Sequence, residues 1–218
     1  MNKMKHGLIF FLLIPLCNSF YAQDVNEWFF DEVSISFNRT NLADYNTENR
    51  NGFGLGVYHS FFANKMANLK FGIEYNRTSQ FKISMYEGHY AHTTDLTYHL
   101  NMASFPLGMR LNIGKKVKVF IEAGGYADVM LKSTRTGIMH TYFPDENDQI
   151  VNKTYPIDEK AKLSSIMGVY TGLGVRIPVS IFEVVIKGDY KLGLQDLYSY
   201  MDSVNNTYWR ISIGIRHK

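Results

Sequence analysis

Apolar residues recur at every second position along most of this chain. In "GVYTGLGVRIPVSIFEVVIKGDYKLGL", Gly168 to Leu194, the alternation runs on both sides of a tight turn at Pro178. Side chains on a strand point to opposite faces in turn. One face therefore carries Val169, Leu173, Val175 and Ile177, then Phe182, Val184, Ile186, Tyr190 and Leu192. The other carries Gly168, Tyr170, Gly172, Gly174 and Arg176, then Glu183, Lys187, Asp189 and Lys191.

Eight such segments occur in order. The first is "EVSISFNRT", with Val33, Ile35 and Phe37 in phase; then come "NGFGLGVYHSFF" and "NLKFGIEYNRT". The fourth, "LTYHLNMASFPLGMRL", changes phase. Leu96, Tyr98, Leu100 and Met102 share one face, and Phe105, Leu107, Met109 and Leu111 the other. A one-residue slip of this kind predicts a β-bulge just before Pro106, where a strand tolerates proline. "KVFIEAGGYADVML" is the fifth, the opening run supplies the sixth and seventh, and "NTYWRISIGIR" is the eighth. No useful length of chain has helical periodicity, and no Pro/Gly/Ser linker divides it, so one all-β domain is expected.

The connections alternate in length. "ANKMA", "NIGKK" and "PVS" are short, whereas those near "NLADYNTEN", "SMYEGHYAH" and "QDLYSYMDSVNN", and the one between the fifth and sixth strands, are long. Short turns at one end and long loops at the other, with an even strand count, describe an eight-stranded antiparallel up-and-down transmembrane β-barrel with both termini in the periplasm. In such a narrow barrel the apolar face looks at lipid, and Gly alternating with Tyr, Arg, Lys and Glu fills the inside. Tyr75, Tyr98, Phe105, Tyr190 and Trp209 near strand ends suit a lipid–water boundary.

Two of the long connections continue as strands. "QFKISMY" keeps Phe81, Ile83 and Met85 in alternation, turns at Glu87-Gly88 and returns through "HYAHTTDLTYHL". "TGIMHTYF" leads through "PDEND" into "QIVNKTYP". Because about 9–11 residues cross a bilayer at the usual tilt, these hairpins must project on the outer side. Their open edge is a surface to which another chain can add a strand, with Tyr86, Tyr90, Tyr142, Phe143 and Tyr155 as aromatic anchors.

The N-terminus adds a location. Lys3 and Lys5 precede "GLIFFLLIPL" and the small residue Ala22, the order of a cleaved secretory signal, which gives a signal peptide over 1–22 and a barrel over 23–218. Cys17 is preceded by Ile14, Pro15 and Leu16 rather than by the small residue a lipid-attachment site needs, and it leaves with the signal. An exported chain without disulfides must then rely on a closed hydrogen-bond network. The signal lysines are its only Lys, Arg, Asp or Glu residues, in a chain of 23 basic and 20 acidic residues. The mature protein is close to neutral, which gives no reason to expect a nucleic-acid partner.

The stretches "SFPLGMRL", "VFIEAGGYADVML", "GVYTGLGVRIPV", "YKLGLQDL" and "RISIGIR" together resemble the PorT-like outer-membrane β-barrel family of Gram-negative bacteria. The resemblance covers essentially the whole mature chain and implies a barrel in the cell outer membrane. It implies no particular activity, since most members have no assigned role. Many outer-membrane barrels end in an aromatic residue, whereas this chain ends Arg216-His217-Lys218.

Candidate chemistry is sparse. His59 and Ser60 are adjacent on a strand and so point to opposite faces. His89, His92 and His99, with Asp95, gather around the second long connection and His140 lies in the third, but no spacing defines a metal-ligand set, and no cofactor is expected. An outer-leaflet lipid-modifying enzyme would need a Ser or Asp and a His from different strands meeting near the outer rim. The lumen face supplies Glu74, Glu122 and Glu183 to pair with Arg110, Arg176 and Arg210. In so narrow a barrel that network reads as a plug rather than a conduit. The function expected is a non-enzymatic surface anchor or scaffold. Its partners would be outer-membrane lipid, lipopolysaccharide, and a surface or host protein bound through the outer hairpins.

Overall fold

The computed structural model describes residues 29–40, 47–63, 65–144, 146–147, 149–195 and 206–217. The expected signal peptide, 1–22, and residues 41–46 and 196–205 lie outside them. The described residues form ten strands: β1 (Glu32–Thr40), β2 (Thr47–Asn49), β3 (Asn51–Phe61), β4 (Ala67–Tyr86), β5 (Ala91–Ile113), β6 (Lys118–Pro144), β7 (Ile150–Lys160), β8 (Ile166–Val179), β9 (Phe182–Gly193) and β10 (Tyr208–His217). Eight of them, all but β2 and β7, close an antiparallel barrel. β1 pairs with both β3 and β10, and the β4–β5 pairing completes the ring. The transmembrane fold is set by that closure, which leaves no unpaired edge in the lipid-facing part.

The three short turns are built on left-handed residues, Phe62, Gly114 and Ser180, with φ of 60°, 117° and 54°. Glu32 and His217 lie at the same end as these turns. At the other end β4, β5 and β6 run on beyond their neighbours. β2 pairs with the upper part of β4, and β7 pairs with β6 from Thr134↔Lys160 to Pro144↔Ile150. The turn between β4 and β5 spans Glu87 to Tyr90 with Gly88 at φ 105°, longer than the two-residue turn its composition suggests.

In the half nearest the short turns the apolar face points outward. Ile35, Leu55, Leu173 and Ile213 are 57%, 54%, 63% and 51% exposed, in the position of a lipid-facing belt. Inside, rings lie over glycines of neighbouring strands, Tyr58 against Gly72 and Phe120 against Gly174, where any side chain would collide with the ring.

The phase change in β5 has a different origin from the bulge expected before Pro106. Facing alternates without interruption from Leu96 to Ile113: Leu96, Tyr98, Leu100, Met102, Ser104, Pro106, Gly108 and Arg110 all point inward. What changes is which face is apolar. Past Met102 the strand leaves the lipid belt, water replaces lipid outside, and the apolar residues move to the interior. There Leu96, Tyr98, Leu100, Met102 and Ile166 form a core, backed by Met85, Met130 and Ile157. Tyr98 is accordingly buried within this core rather than at a lipid boundary. Irregularities do occur nearby: β5 has one at Asp95, with φ 52°, and β6 has an extra residue at Leu131, since Asn101 pairs with Lys132 and Met102 with Met130.

Candidate functional site

Two places gather the candidate residues. The first is the lumen of the membrane tier. Arg110 reaches Glu122 at 2.7 Å and Glu32 at 3.0 Å, and Lys70 reaches Glu32 at 2.7 Å. Lys187 bridges Glu122 at 3.3 Å and Asp189 at 3.0 Å. Above them Glu74 is held by Arg210 at 2.6 Å and Lys191 at 2.7 Å, and accepts the Tyr58 hydroxyl at 2.8 Å. Arg210 also forks onto Asp189. Toward the short turns Glu183 meets Arg176 and Arg216, each at 3.3 Å. Glu74, Glu122 and Glu183 are thus brought together with Arg210, Arg110 and Arg176 respectively. Glu32 and Lys191 were not singled out for this network. Glu32 shares the phase of Ser34 and Ser36, opposite Val33, Ile35 and Phe37, so the alternation turns it inward, but its partners Lys70 and Arg110 on β4 and β5 meet it only once β1 closes the ring.

These groups are almost wholly buried. Side-chain exposure is 0% for Arg110 and Lys70 and 2% for Glu122. Charges this deep persist only when paired and hydrogen-bonded, and cross-links from β1, β4, β5, β6, β9 and β10 meet in one web.

The second place is the outward surface of the upper tier. Tyr86, His92, His140 and Thr154 stand side by side across β4, β5, β6 and β7. The His92 and His140 rings stack at 4.7 Å with 13° between planes, and Tyr142 stacks on His92 at 5.5 Å. Both His140 nitrogens face threonine hydroxyls, Thr94 and Thr154, each at 3.1 Å, so His140 presents its ring face to the surface. Tyr90 packs near Phe143 at 6.0 Å. Tyr155 is opposite Met139, on the other face of the sheet from His140 and Thr154. Beneath, Arg135 ties the hairpins together through Glu87 and Glu159. Partial burial opposes its charge, but the two carboxylates outweigh this and raise its pKa above the ordinary value.

Between the tiers, just above the lipid belt, Ser79 and His99 face each other across β4 and β5, with Ser79 Oγ 3.1 Å from His99 Nδ1. Partial burial and the neighbouring Arg77 lower the His99 pKa below its usual 6.5, against an opposing effect of Asp158. This is a serine and a histidine from different strands meeting at the rim. Strand register brings them together, so no local motif could have announced the pair. His59, by contrast, stacks on Phe29 at the short-turn end, while Ser60 points inward.

No family model and no curated protein matches the chain. Among solved structures it is similar to Neisserial surface protein A, with 13% identity and a TM-score of 0.46 over 86% of this chain and 96% of that one. Ail, the attachment invasion locus protein of Yersinia pestis, gives 16% identity and a TM-score of 0.38 over 85% and 98%. The N-terminal β-barrel domain of Pseudomonas aeruginosa OprF gives 10% and 0.37 over 85% and 96%. Likeness at this level adds nothing to the strand pairing described above, on which the fold rests.

Proposed function

We propose that the protein is an outer-membrane anchor of the PorT-like kind, a plugged barrel that holds two long hairpins at the cell surface for a partner to bind. The observation that carries this reading is the reversal of the apolar face along β5: polar inside from Arg110 to Ser104, apolar inside from Met102 to Leu96. A strand built this way is meant to cross lipid and then stand in water. With the hairpins outside, the first barrel strand begins and the last one ends on the periplasmic side, at Glu32 and His217. The lumen web supports a structural role rather than conduction, because opening a path would strand several buried charges.

The binding element is the sheet face rather than the sheet edge. β7 is exposed on both faces, yet Pro156 sits in its middle and Lys153 and Lys160 flank it, features that protect an edge from strand addition. The face offers Tyr86 at 80% exposure beside the stacked His92, His140 and Tyr142, while Tyr90, 57% exposed, packs near Phe143, which alternation puts on the other face of β6. Aromatic anchors of this type favour a protein partner. The test is to replace Thr136–Pro156 by a short Gly-Ser turn and confirm heat-modifiable assembly in outer membranes. Loss of binding by intact cells supports the reading; unchanged binding and phenotype refute it.

The Ser79–His99 hydrogen bond favours a second reading, an esterase acting on outer-leaflet lipid. Ser79→Ala should then abolish fatty-acid release from an acylated glycolipid by the purified barrel, and absence of release by the parent protein rejects it.

A further inference from the structure

At the height of Ser79 and His99 the outward surface changes character within one residue. Below lie Tyr75, Phe105 and Val129, part of the lipid belt. Directly above, Arg77 on β4, Asn101 on β5 and Lys132 on β6 form one row, followed by Ser79, His99, Thr134 and Lys160 in the next. Arg77, Lys132 and Lys160 are all exposed, and among the described residues none of them takes part in an ion pair. The nearest outward acid on these strands is Asp158, one row higher beside Thr136.

The local backbone is shaped to present these cations. The extra residue in β6 turns both Leu131, 59% exposed, and Lys132 to the outside. β7 ends at Lys160 and β8 begins only at Ile166, so the intervening chain leaves the sheet and opens a groove of about 620 Å³ against β6. Met130, Leu131 and Leu163 supply its apolar lining and Lys132 and Lys160 its charge. β-bulges are recurrent devices for re-aiming side chains at functional sites.

From this we infer that the patch formed by Arg77, Lys132 and Lys160 is a binding site for the phosphorylated sugar head group of a lipopolysaccharide molecule in the surrounding leaflet. Lipid-belt residues directly below a row of exposed cations, with Leu131 turned outward beside Lys132, match a ligand that is acyl chain on one side and anion on the other. Arg77 and Lys132 stand two strands apart, about 10 Å at the usual strand spacing. That spacing leaves room for a rigid sugar frame carrying two phosphates, one near each cation. Arg77 supplies a planar fork and the lysines point charges, both suited to phosphate. Asn101 is already oriented by the Tyr75 hydroxyl, which donates to its side-chain oxygen at 3.0 Å, so its amide nitrogen is free to face a sugar hydroxyl. This assignment rests on the reading that the hairpin end faces the cell exterior, where that lipid resides.

The test uses the full mature barrel in nanodiscs and native mass spectrometry, with bis-phosphorylated lipid A, its dephosphorylated form and phosphatidylglycerol as separate probes. The bis-phosphorylated probe should be retained selectively. At about fivefold per surface cation, the Arg77→Gln/Lys132→Gln/Lys160→Gln variant should bind it on the order of a hundredfold more weakly. Lys115→Gln/Lys116→Gln, at the short-turn end, should bind as the parent does. If the triple variant fails to show heat-modifiable mobility, Lys132→Gln alone should give the loss of about fivefold. Equal retention of dephosphorylated lipid A, or undiminished binding by the variants, overturns the site. Equal retention of phosphatidylglycerol overturns it in favour of unspecific charge attraction. Orientation is read separately, by surface labelling of Lys153 on intact cells, so a wrong orientation and a wrong site give different results.

Discussion

The two tiers of the barrel are made from the same strands and have opposite interiors. In the lower tier Arg110 and Glu122 face the axis and Leu107 and Ile121 face out; in the upper tier Leu96 and Leu100 face the axis and His99 and Thr97 face out. The backbone is the same ladder throughout. The surrounding medium decides the rest: lipid accepts no polar group, so polarity moves inward and must be satisfied there by pairing, while water restores the ordinary arrangement of an apolar core. The lower tier is therefore held by electrostatic cross-links and the upper by packing, and the two should fail differently when broken.

The largest effect belongs to the lower tier. Arg110→Met leaves Glu32 without its second cation and Glu122 short of one, in a site where Arg110 itself is 0% exposed. The expected cost is about 3–5 kcal/mol in denaturant unfolding from lipid, and pairing the change with Glu122→Met should recover part of it. Next, Leu100→Ala should lower the stability of the upper tier by about 3 kcal/mol while leaving the heat-modifiable core of the barrel intact. The same measurement on Leu107→Ala, at a lipid-facing position, should show much less, because lipid fills the space that in Leu100→Ala remains a cavity. If the two leucines cost the same, the tiers do not differ as described. A third test places an arginine on either side of the boundary: Ile213→Arg on the lipid face should cost about 2 kcal/mol or more, and Thr136→Arg on the outward face above the belt less than about 0.5 kcal/mol.

The alternation in the sequence carries most of the fold. Strand identity, the short turns, the inward position of Arg176 to Lys191 and the two extended hairpins all follow from period-two patterning and turn composition. The phase change in β5 was equally visible, but its pattern is shared by two causes, a bulge and a change of medium. Only the uninterrupted facing of Leu96 through Arg110 separates them. The upper surface was less legible. That Ser79 meets His99, that His92 stacks on His140, and that Arg77 shares a row with Lys132 all depend on interstrand register. The extra residue at Leu131 shifts that register, and nothing in the local period of β6 reports it.

The smallest expected effect concerns the titration of that upper surface. The His99 pKa is lowered by partial burial first and by Arg77 second, with Asp158 opposing and Ser79 hydrogen-bonded to Nδ1. A base whose folded pKa lies below its unfolded value binds fewer protons when folded, so the upper tier should lose stability as pH falls through about 6.5. Arg135 behaves oppositely: its pKa is raised by Glu159 and Glu87, so its contribution persists throughout the neutral range and is lost only under strongly alkaline conditions. Hydrogen exchange of the β4–β5 hairpin measured across mildly acid pH should therefore show faster opening at the acid end, and His99→Gln should flatten the profile. An acid-dependent opening that survives His99→Gln would place the sensitive group elsewhere. An opening that instead slowed with acid would mean that protonated His99 is stabilised at the rim, as it would be if an anionic head group sat beside Arg77 and Lys132.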